Sequence, residues 1–266
     1  MPRAMMFPHE RNLLPFRTEP CEADHCIDFF MVDTQPKPEG IPVYSDTYRT
    51  VFRTPNAVVF YDGGDGCFMR LQRGQKYSHV QLWKNAVPKH ITVKLVLTAL
   101  CLDAMLIDRG GFLFHASYIQ YQGKAILFTA PSGTGKSTQA DLWCRLRGAE
   151  LINGDRAAVT VGAEGVFVHG IPFCGSSGVN KNVTLPLRAI VSLSQAPSTS
   201  IVPISGLRAF RQLWEGCTVS NWDRQRVSAC TDLVSKVIGH VPVFHLACTP
   251  DESAVIALEQ ALSDLR

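Results

Sequence analysis

No apolar run in this chain is long enough to cross a bilayer comfortably. The most apolar stretch of its N-terminal half, Ile91 to Ile107, is broken by Lys94 and Asp103, whereas a spanning helix needs about 20 apolar residues in succession. That stretch is read as a buried helix, and no membrane partner is expected. The segment Met1 to Phe16 carries Arg3, Glu10 and Arg11 without a continuous apolar region or a small-residue cleavage site, so no secretory signal is expected. Clusters of Lys and Arg are missing as well. The net charge of +3 is spread along the chain, which leaves no electrostatic footprint for nucleic acid, and none is expected as a partner. There is no acidic tail, repeat or low-complexity tract. Cysteine is not scarce, but paired cysteine spacing is. Cys21, Cys26, Cys67, Cys101, Cys144, Cys174, Cys217, Cys230 and Cys248 are odd in number and scattered, mostly among apolar neighbours. This argues against a disulfide framework and predicts the reduced thiols of a cytoplasmic protein. Cys21, His25 and Cys26 are close in sequence but match no zinc template, and no second Cys/His pair follows, so a metal site is not expected there.

What is present is the composition of a globular protein, 46% hydrophobic and 18% charged over 266 residues, enough for one large domain or two modest ones. Residues 1–87 alternate short β-like runs, such as Tyr48 to Phe52 and Ala57 to Tyr61, with turn clusters such as Asp62 to Gly66. They predict a β-rich accessory region. After Pro88 a helical pattern runs from about His90 to Ile107 and closes at Gly110-Gly111, as a glycine stop would close it. Strands are then predicted over Phe112 to Tyr121 and Lys124 to Thr129, followed by a Gly-rich turn and a helix from Lys136 to Leu146. Further strands are predicted at Glu150 to Val161, Gly165 to His169 and Arg188 to Ser194, and helices at Ser205 to Glu215 and Asp223 to Ile238. The end reads as a strand, Val241 to Ala247, and a helix opened by Asp251 and Glu252. The expected fold class is mixed α/β (α+β), with residues 88–266 forming a nucleotide-binding core.

The strongest motif is Ala130-Pro131-Ser132-Gly133-Thr134-Gly135-Lys136-Ser137-Thr138, a P-loop pattern with Ala in place of the first Gly. Gly133 and Gly135 permit backbone geometries in which successive N–H groups point at phosphate oxygens. The following helix adds the positive end of its dipole. Lys136 supplies a point charge for the β- and γ-phosphates, and the Ser137 hydroxyl suits the coordination shell of Mg²⁺. Ser132, Gly133, Thr134, Gly135, Lys136, Ser137 and Thr138 are the candidate nucleotide-binding residues, with ATP and Mg²⁺ the expected cofactors. The apolar run Ala125 to Thr129 before the loop is of buried-strand type.

Reading outward, His115-Ala116-Ser117, Gly123 to Thr129, the loop, and Ile152-Asn153-Gly154-Asp155-Arg156 form an order that resembles the catalytic domain of the HPr kinase/phosphorylase family. The fold of that family and of its kinase-like relatives is related to phosphoenolpyruvate carboxykinase. The family pattern has a histidine upstream of the loop lysine, a glycine before the loop strand, and an acidic pair followed by arginine after the loop helix. His115, Gly123 and Asp155-Arg156 fall on those positions, and the resemblance spans roughly Gly111 to Leu193. It implies a phosphotransferase that uses ATP and Mg²⁺ on a serine-type hydroxyl of a small molecule or peptide. Two departures stand out. Gly154 replaces the first acid, the one the family associates with deprotonating the hydroxyl. Phe167 and His169 stand ahead of Gly170 where the family has glutamate and arginine, so a reversible phosphorylase activity on HPr is not expected.

Phosphoryl transfer asks mainly for charge neutralisation and alignment, so one carboxylate can suffice. Asp155 is the candidate to hold Mg²⁺ together with Ser137, or to accept the substrate proton, and both roles stay open. His115 is the other candidate base. Arg156 would stabilise transferring charge or orient Asp155. The turn-rich stretch His169 to Asn182 is expected to form a mobile loop over the substrate, with Lys181 reaching phosphate. Two alternatives to a kinase remain: a nucleotide-binding regulatory or scaffold module, and an ATPase without an acceptor. A homo-oligomer is compatible with all three.

Overall fold

The computed structural model describes residues 12–23, 25–35, 37, 39–45, 49–55, 58–62, 66–73, 77–83 and 102–265. The helical pattern predicted from His90 lies outside these residues until Leu102, as does the middle of the Asp62 to Gly66 turn. Among the described residues no helix is long and apolar enough to cross a membrane. The chain divides into two compact units, one built mainly from Arg17–Leu102, the other from Asp103–Ser220 and Arg224–Arg266.

The first unit is a β-sheet. Its strands are β1 (Cys26–Val32), β2 (Ile41–Ser45), β3 (Arg49–Arg53), β4 (Val58–Asp62), β5 (Gly66–Arg73) and β6 (Tyr77–Trp83). They lie in the order β1-β6-β5-β4-β3-β2. From β2 to β6 the strands form an antiparallel meander. The remaining strand, β1, returns parallel to β6. Thr50-Val51-Phe52 supplies the β-branched and aromatic side chains that suit a pleated surface, and Val51 is completely buried.

The second unit runs α1 (Leu102–Ile107), β7 (Gly111–His115), β8 (Ser117–Tyr121), β9 (Lys124–Thr129), α2 (Lys136–Arg147), β10 (Glu150–Asn153), β11 (Arg156–Gly162) and β12 (Gly165–Gly170). It continues with β13 (Thr184–Gln195), β14 (Ser200–Ile204), α3 (Gly206–Gly216), β15 (Cys217–Thr218), α4 (Arg224–His240), β16 (Val243–Cys248) and α5 (Glu252–Ser263). The result is a mixed α/β unit whose large sheet is mostly antiparallel, in the order β10-β8-β9-β13-β12-β11-β7-β15, with β16 paired to β13 and β14 paired to β16. The parallel part is β9-β13-β16, and its strands are apolar on both faces because both are covered. One face, with Leu127, Ile190 and Val243, packs against Ala209 and Leu213 of α3 and Cys230, Val234 and Val237 of α4. The other, with Phe128, Val191 and Leu246, packs against Ala140 and Trp143 of α2 and Val255 and Leu258 of α5. This alternation along single strands is the period-2 pattern of a strand buried between two layers.

Two strands predicted as continuous are each broken in two, at the same level. The run Phe112 to Tyr121 divides around Ala116, and Glu150 to Val161 divides at Gly154-Asp155. Each half takes its own neighbour: β7 pairs with β11, with His115 opposite Arg156, while β8 pairs with β10. The corner is stitched by the Ala116 N–H donating to the Asp155 carbonyl at 3.0 Å and by the Ser117 hydroxyl donating to the Gly154 carbonyl at 3.0 Å. In the first run no turn residue marks the break, whereas in the second the polar cluster Asn153 to Arg156 interrupts the apolar residues at it. The consequence of the two breaks is that His115 and Asp155 stand at a corner, free of the strand ladders on one side. Strand β14 was not predicted. It contains Pro203 and pairs only with β16, the edge position that proline tolerates. Strand β13 starts earlier than predicted because Thr184 to Pro186 pair with β12.

Candidate functional site

Where β9 ends, the chain turns through residues 130–135 into α2. Gly133 and Gly135 have φ of +80° and +121°, values that suit glycine and strain other residues. No atom lies within 4 Å of where a Cβ would stand on either one, so the turn is open on that side. The helix N-cap, Gly135, offers no side-chain hydrogen bond to the first turn. The leading N–H groups of a helix have no acceptor within it, and the positive end of the dipole lies at the same place. The Thr134 N–H donates to the Pro131 carbonyl at 3.3 Å, which tightens the turn. Ser132, Ser137 and Thr138 are exposed.

Lys136 differs from an ordinary surface lysine. It is only 8% exposed, and its Nζ donates to the carbonyls of Ala130 at 2.9 Å and Pro131 at 3.5 Å. Burial pushes its pKa down, while the nearby Asp155 carboxylate acts in the opposite direction.

Asp155 sits at the strand corner between a histidine and an arginine. His115 Nε2 is 3.3 Å from one carboxylate oxygen, and Arg156 Nε is 3.5 Å from the other. The hydrogen bond from His115 is the main cause that holds the Asp155 carboxyl below its usual range. Burial opposes it, and the charges of His115, Arg156 and Lys136 reinforce it. Arg156 is fixed in turn: its Nη1 donates to the Thr218 hydroxyl on β15, and its guanidinium lies 5.3 Å from the Phe173 ring centre, a cation–π arrangement. The four candidate catalytic residues His115, Lys136, Asp155 and Arg156 are therefore brought together. The loop glycines, Ser137 and Thr138 are carried on the same turn and helix end as Lys136.

The residue that organises the corner, Asn153, was not singled out as a site residue in the sequence. It is completely buried. Its Oδ1 accepts from the backbone N–H groups of Asp155 at 2.9 Å and Arg156 at 3.0 Å. Its amide donates to the carbonyls of Ile171 at 3.1 Å and Phe173 at 2.6 Å. The available signal was an Asn two residues before Asp155, the spacing of an Asx-turn.

The segment after β12 is held against this corner. Besides the Asn153 bonds, Lys181 N–H donates to the Ile152 carbonyl at 3.0 Å, and Asn153 and Asn180 form an isolated β-bridge. The expectation of a phosphate-seeking Lys181 is corrected: its Nζ pairs with Glu150 at 2.6 Å. The two ring nitrogens of His169 are taken by the hydroxyls of Thr160 and Thr184 at 2.8 and 2.9 Å. Burial lowers its pKa, which makes it a cross-strand link. Burial likewise pushes the Cys174 thiol up. Gly175 has φ +55°, and a Cβ there would come within 2.7 Å of the Asp155 Cβ. A Cβ on Gly154 would meet the Ser177 hydroxyl at 2.4 Å. The loop and the corner thus fit together through two glycines.

Among the described residues no group of three His, Cys, Asp or Glu side chains gathers as a metal site.

Comparison with known families matches residues 82–249 to a family model described as SynChlorMet cassette protein ScmC. No curated protein matches. Among solved structures the chain is similar to the HPr(Ser) kinase/phosphatase from Coxiella burnetii. The two are 13% identical over 57% of this chain and 88% of that one, with a TM-score of 0.33.

Proposed function

The chain belongs to the ScmC family of SynChlorMet cassette proteins, and we propose that it is an ATP-dependent phosphotransferase that delivers the γ-phosphoryl group to a hydroxyl, serine-type, of a small molecule or peptide. The observation that carries this reading is the meeting of a buried lysine and a histidine-held carboxylate at one uncapped helix end. Lys136 is buried against the turn, and Asp155 is close enough for each charge to shift the other.

The residues present fit a nucleotide triphosphate. The N–H groups of Gly133, Gly135, Lys136 and Ser137, with the ammonium of Lys136, would hold the phosphates, and Ser132, Thr134 and Thr138 complete the turn and the first helical residues. Ser137 and Asp155 would hold Mg²⁺. That ion, when bound, neutralises charge on the phosphate oxygens. In its alternative role Asp155, backed by His115, would instead take the proton of the acceptor hydroxyl, which would rest on the pair. Arg156, held by Thr218 and Phe173, presents a fixed positive charge to the side of Asp155.

One observation favours a second reading, a nucleotide-binding module or an ATPase. Position 154 has no side chain, and the Ser177 hydroxyl fills the space over it, so a second acid next to Asp155 is absent. Incubation with γ-labelled ATP, Mg²⁺ and a panel of free serine, free threonine and seryl peptides separates the readings. Label on an acceptor supports transfer. Free phosphate alone supports the ATPase, and binding without turnover supports the module.

A further inference from the structure

The segment Cys174 to Gly178 holds two exposed serines, Ser176 and Ser177, between glycines, and it is fastened to the corner that carries Asp155. Gly175 packs directly on the Asp155 side chain, close enough that a Cβ there would stand 2.9 Å from its carboxyl carbon. Two residues on, the Ser177 oxygen lies over Gly154, 2.4 Å from where a Cβ of that residue would be. That hydroxyl donates to the Cys174 carbonyl at 2.9 Å and accepts from the Val179 N–H at 3.3 Å. Both partners belong to its own loop, so the bonds set its position without tying it to the strands. The loop that carries this serine hydroxyl is therefore fastened, through Gly175, to the corner that carries the carboxylate proposed to serve transfer, so no diffusing acceptor is needed.

We propose that Ser177 is a site of self-phosphorylation, an inference that rests on the phosphotransferase reading above. Ser177 Oγ forms a bond to the γ-phosphorus of ATP as the bond from that phosphorus to the β–γ bridging oxygen breaks. The hydroxyl proton passes to the Asp155–His115 pair, and ADP leaves with the bridging oxygen and its electron pair. Two features favour the reaction in cis. An acceptor held in place has an effective concentration far above that of a free one. A phosphoserine carries about −1.5 to −2 charges at neutral pH, and His115 and Arg156, both able to carry positive charge, stand 3.3 and 3.5 Å from the Asp155 carboxylate. Ser177 is singled out over Ser176 because its oxygen is the one fixed over the residue preceding Asp155.

The test uses the full chain, treated with a phosphatase, repurified, and incubated with γ-labelled ATP and Mg²⁺ without added acceptor. Peptide mass spectrometry then locates any phosphate, and nucleotide binding is measured in parallel. The expected result is one phosphoryl group on Ser177, at a rate independent of protein concentration. It should be absent from Ser177→Ala and from Lys136→Ala, while Ser177→Ala still binds ATP. Phosphate on another residue, or a rate that rises with protein concentration, overturns the proposal. A wild-type chain that binds ATP and turns it over, yet leaves Ser177 unmodified, overturns it and leaves the phosphotransferase reading standing. A chain that binds no nucleotide overturns both.

Discussion

Asn153 illustrates how much of the site depends on one buried amide. Its side chain makes four hydrogen bonds, two to the backbone of Asp155 and Arg156 and two to the loop at Ile171 and Phe173. Leaving a buried polar group unpaired costs about 1–3 kcal/mol. Asn153→Ala is therefore expected to destabilise the chain by at least that amount and to disorder the corner, read as a lowered urea midpoint at unchanged m. At the neighbouring position, Asp155→Asn keeps the shape and removes the charge that His115, Arg156 and Lys136 face. The expected outcome is a folded protein with about 10²–10⁴-fold less phosphoryl transfer, checked by melting and turnover side by side. Normal turnover in Asp155→Asn, with His115→Ala inactive, would move the chemistry from the carboxylate to the imidazole. At this scale the sequence is informative about which residue types converge: the loop motif points to Lys136, and the family resemblance points to Asp155, His115 and Arg156. Asn153 escaped because its role is to satisfy backbone groups, and those partners exist only once both strands have broken at the corner.

At the scale of elements, the glycine-rich turn and α2 were legible because three signals agree there: an apolar strand, two glycines, which take φ of +80° and +121° in the structure, and a helical pattern that begins at Lys136. The strand break at Ala116 was not, since no turn residue stands there and only the change of pairing partner marks it, while the one at Gly154-Asp155 had an available signal in the polar cluster Asn153 to Arg156. Gly154 also acquires a physical reason that the sequence did not offer: the 174–178 turn lies on it. Gly154→Asp, which would restore an acidic pair in sequence, is therefore expected to lower stability and not to raise activity, because the new side chain collides with Ser177. A stable and more active Gly154→Asp variant would contradict this packing. Helix α2 is anchored by Trp143, completely buried and edge-on to Tyr121 at 5.0 Å. Trp143→Ala is expected to cost about 3–5 kcal/mol and, by loosening the helix that presents Lys136, to weaken nucleotide binding as well. Thermal melts and titration of the same sample check both.

At the scale of the whole molecule, stability should depend on pH through groups held in the folded state away from their usual protonation. Burial lowers the pKa of His169, and burial with the charge of Arg208 lowers that of His245, both from a usual 6.5. The unfolded chain then binds more protons than the folded one as pH falls through that value, so stability drops on acidification below about pH 6.5. Asp155, held below its usual 3.8, adds a further loss as pH falls past 3.8 toward its folded value. Melting temperature should decline from pH 7.5 to 5.5, and His169→Gln should flatten part of that slope. A melting temperature that rises over this interval would contradict the assignment. The central claim, however, is that residues 130–138 form a seat for a nucleotide triphosphate, and calorimetric titration of ATP with Mg²⁺ into wild type and Lys136→Ala tests it most directly. The account predicts saturable binding to the wild type that weakens at least tenfold, about 1.4 kcal/mol, when the ammonium is removed. Equal affinity in the two proteins, or no binding to the wild type, would contradict it.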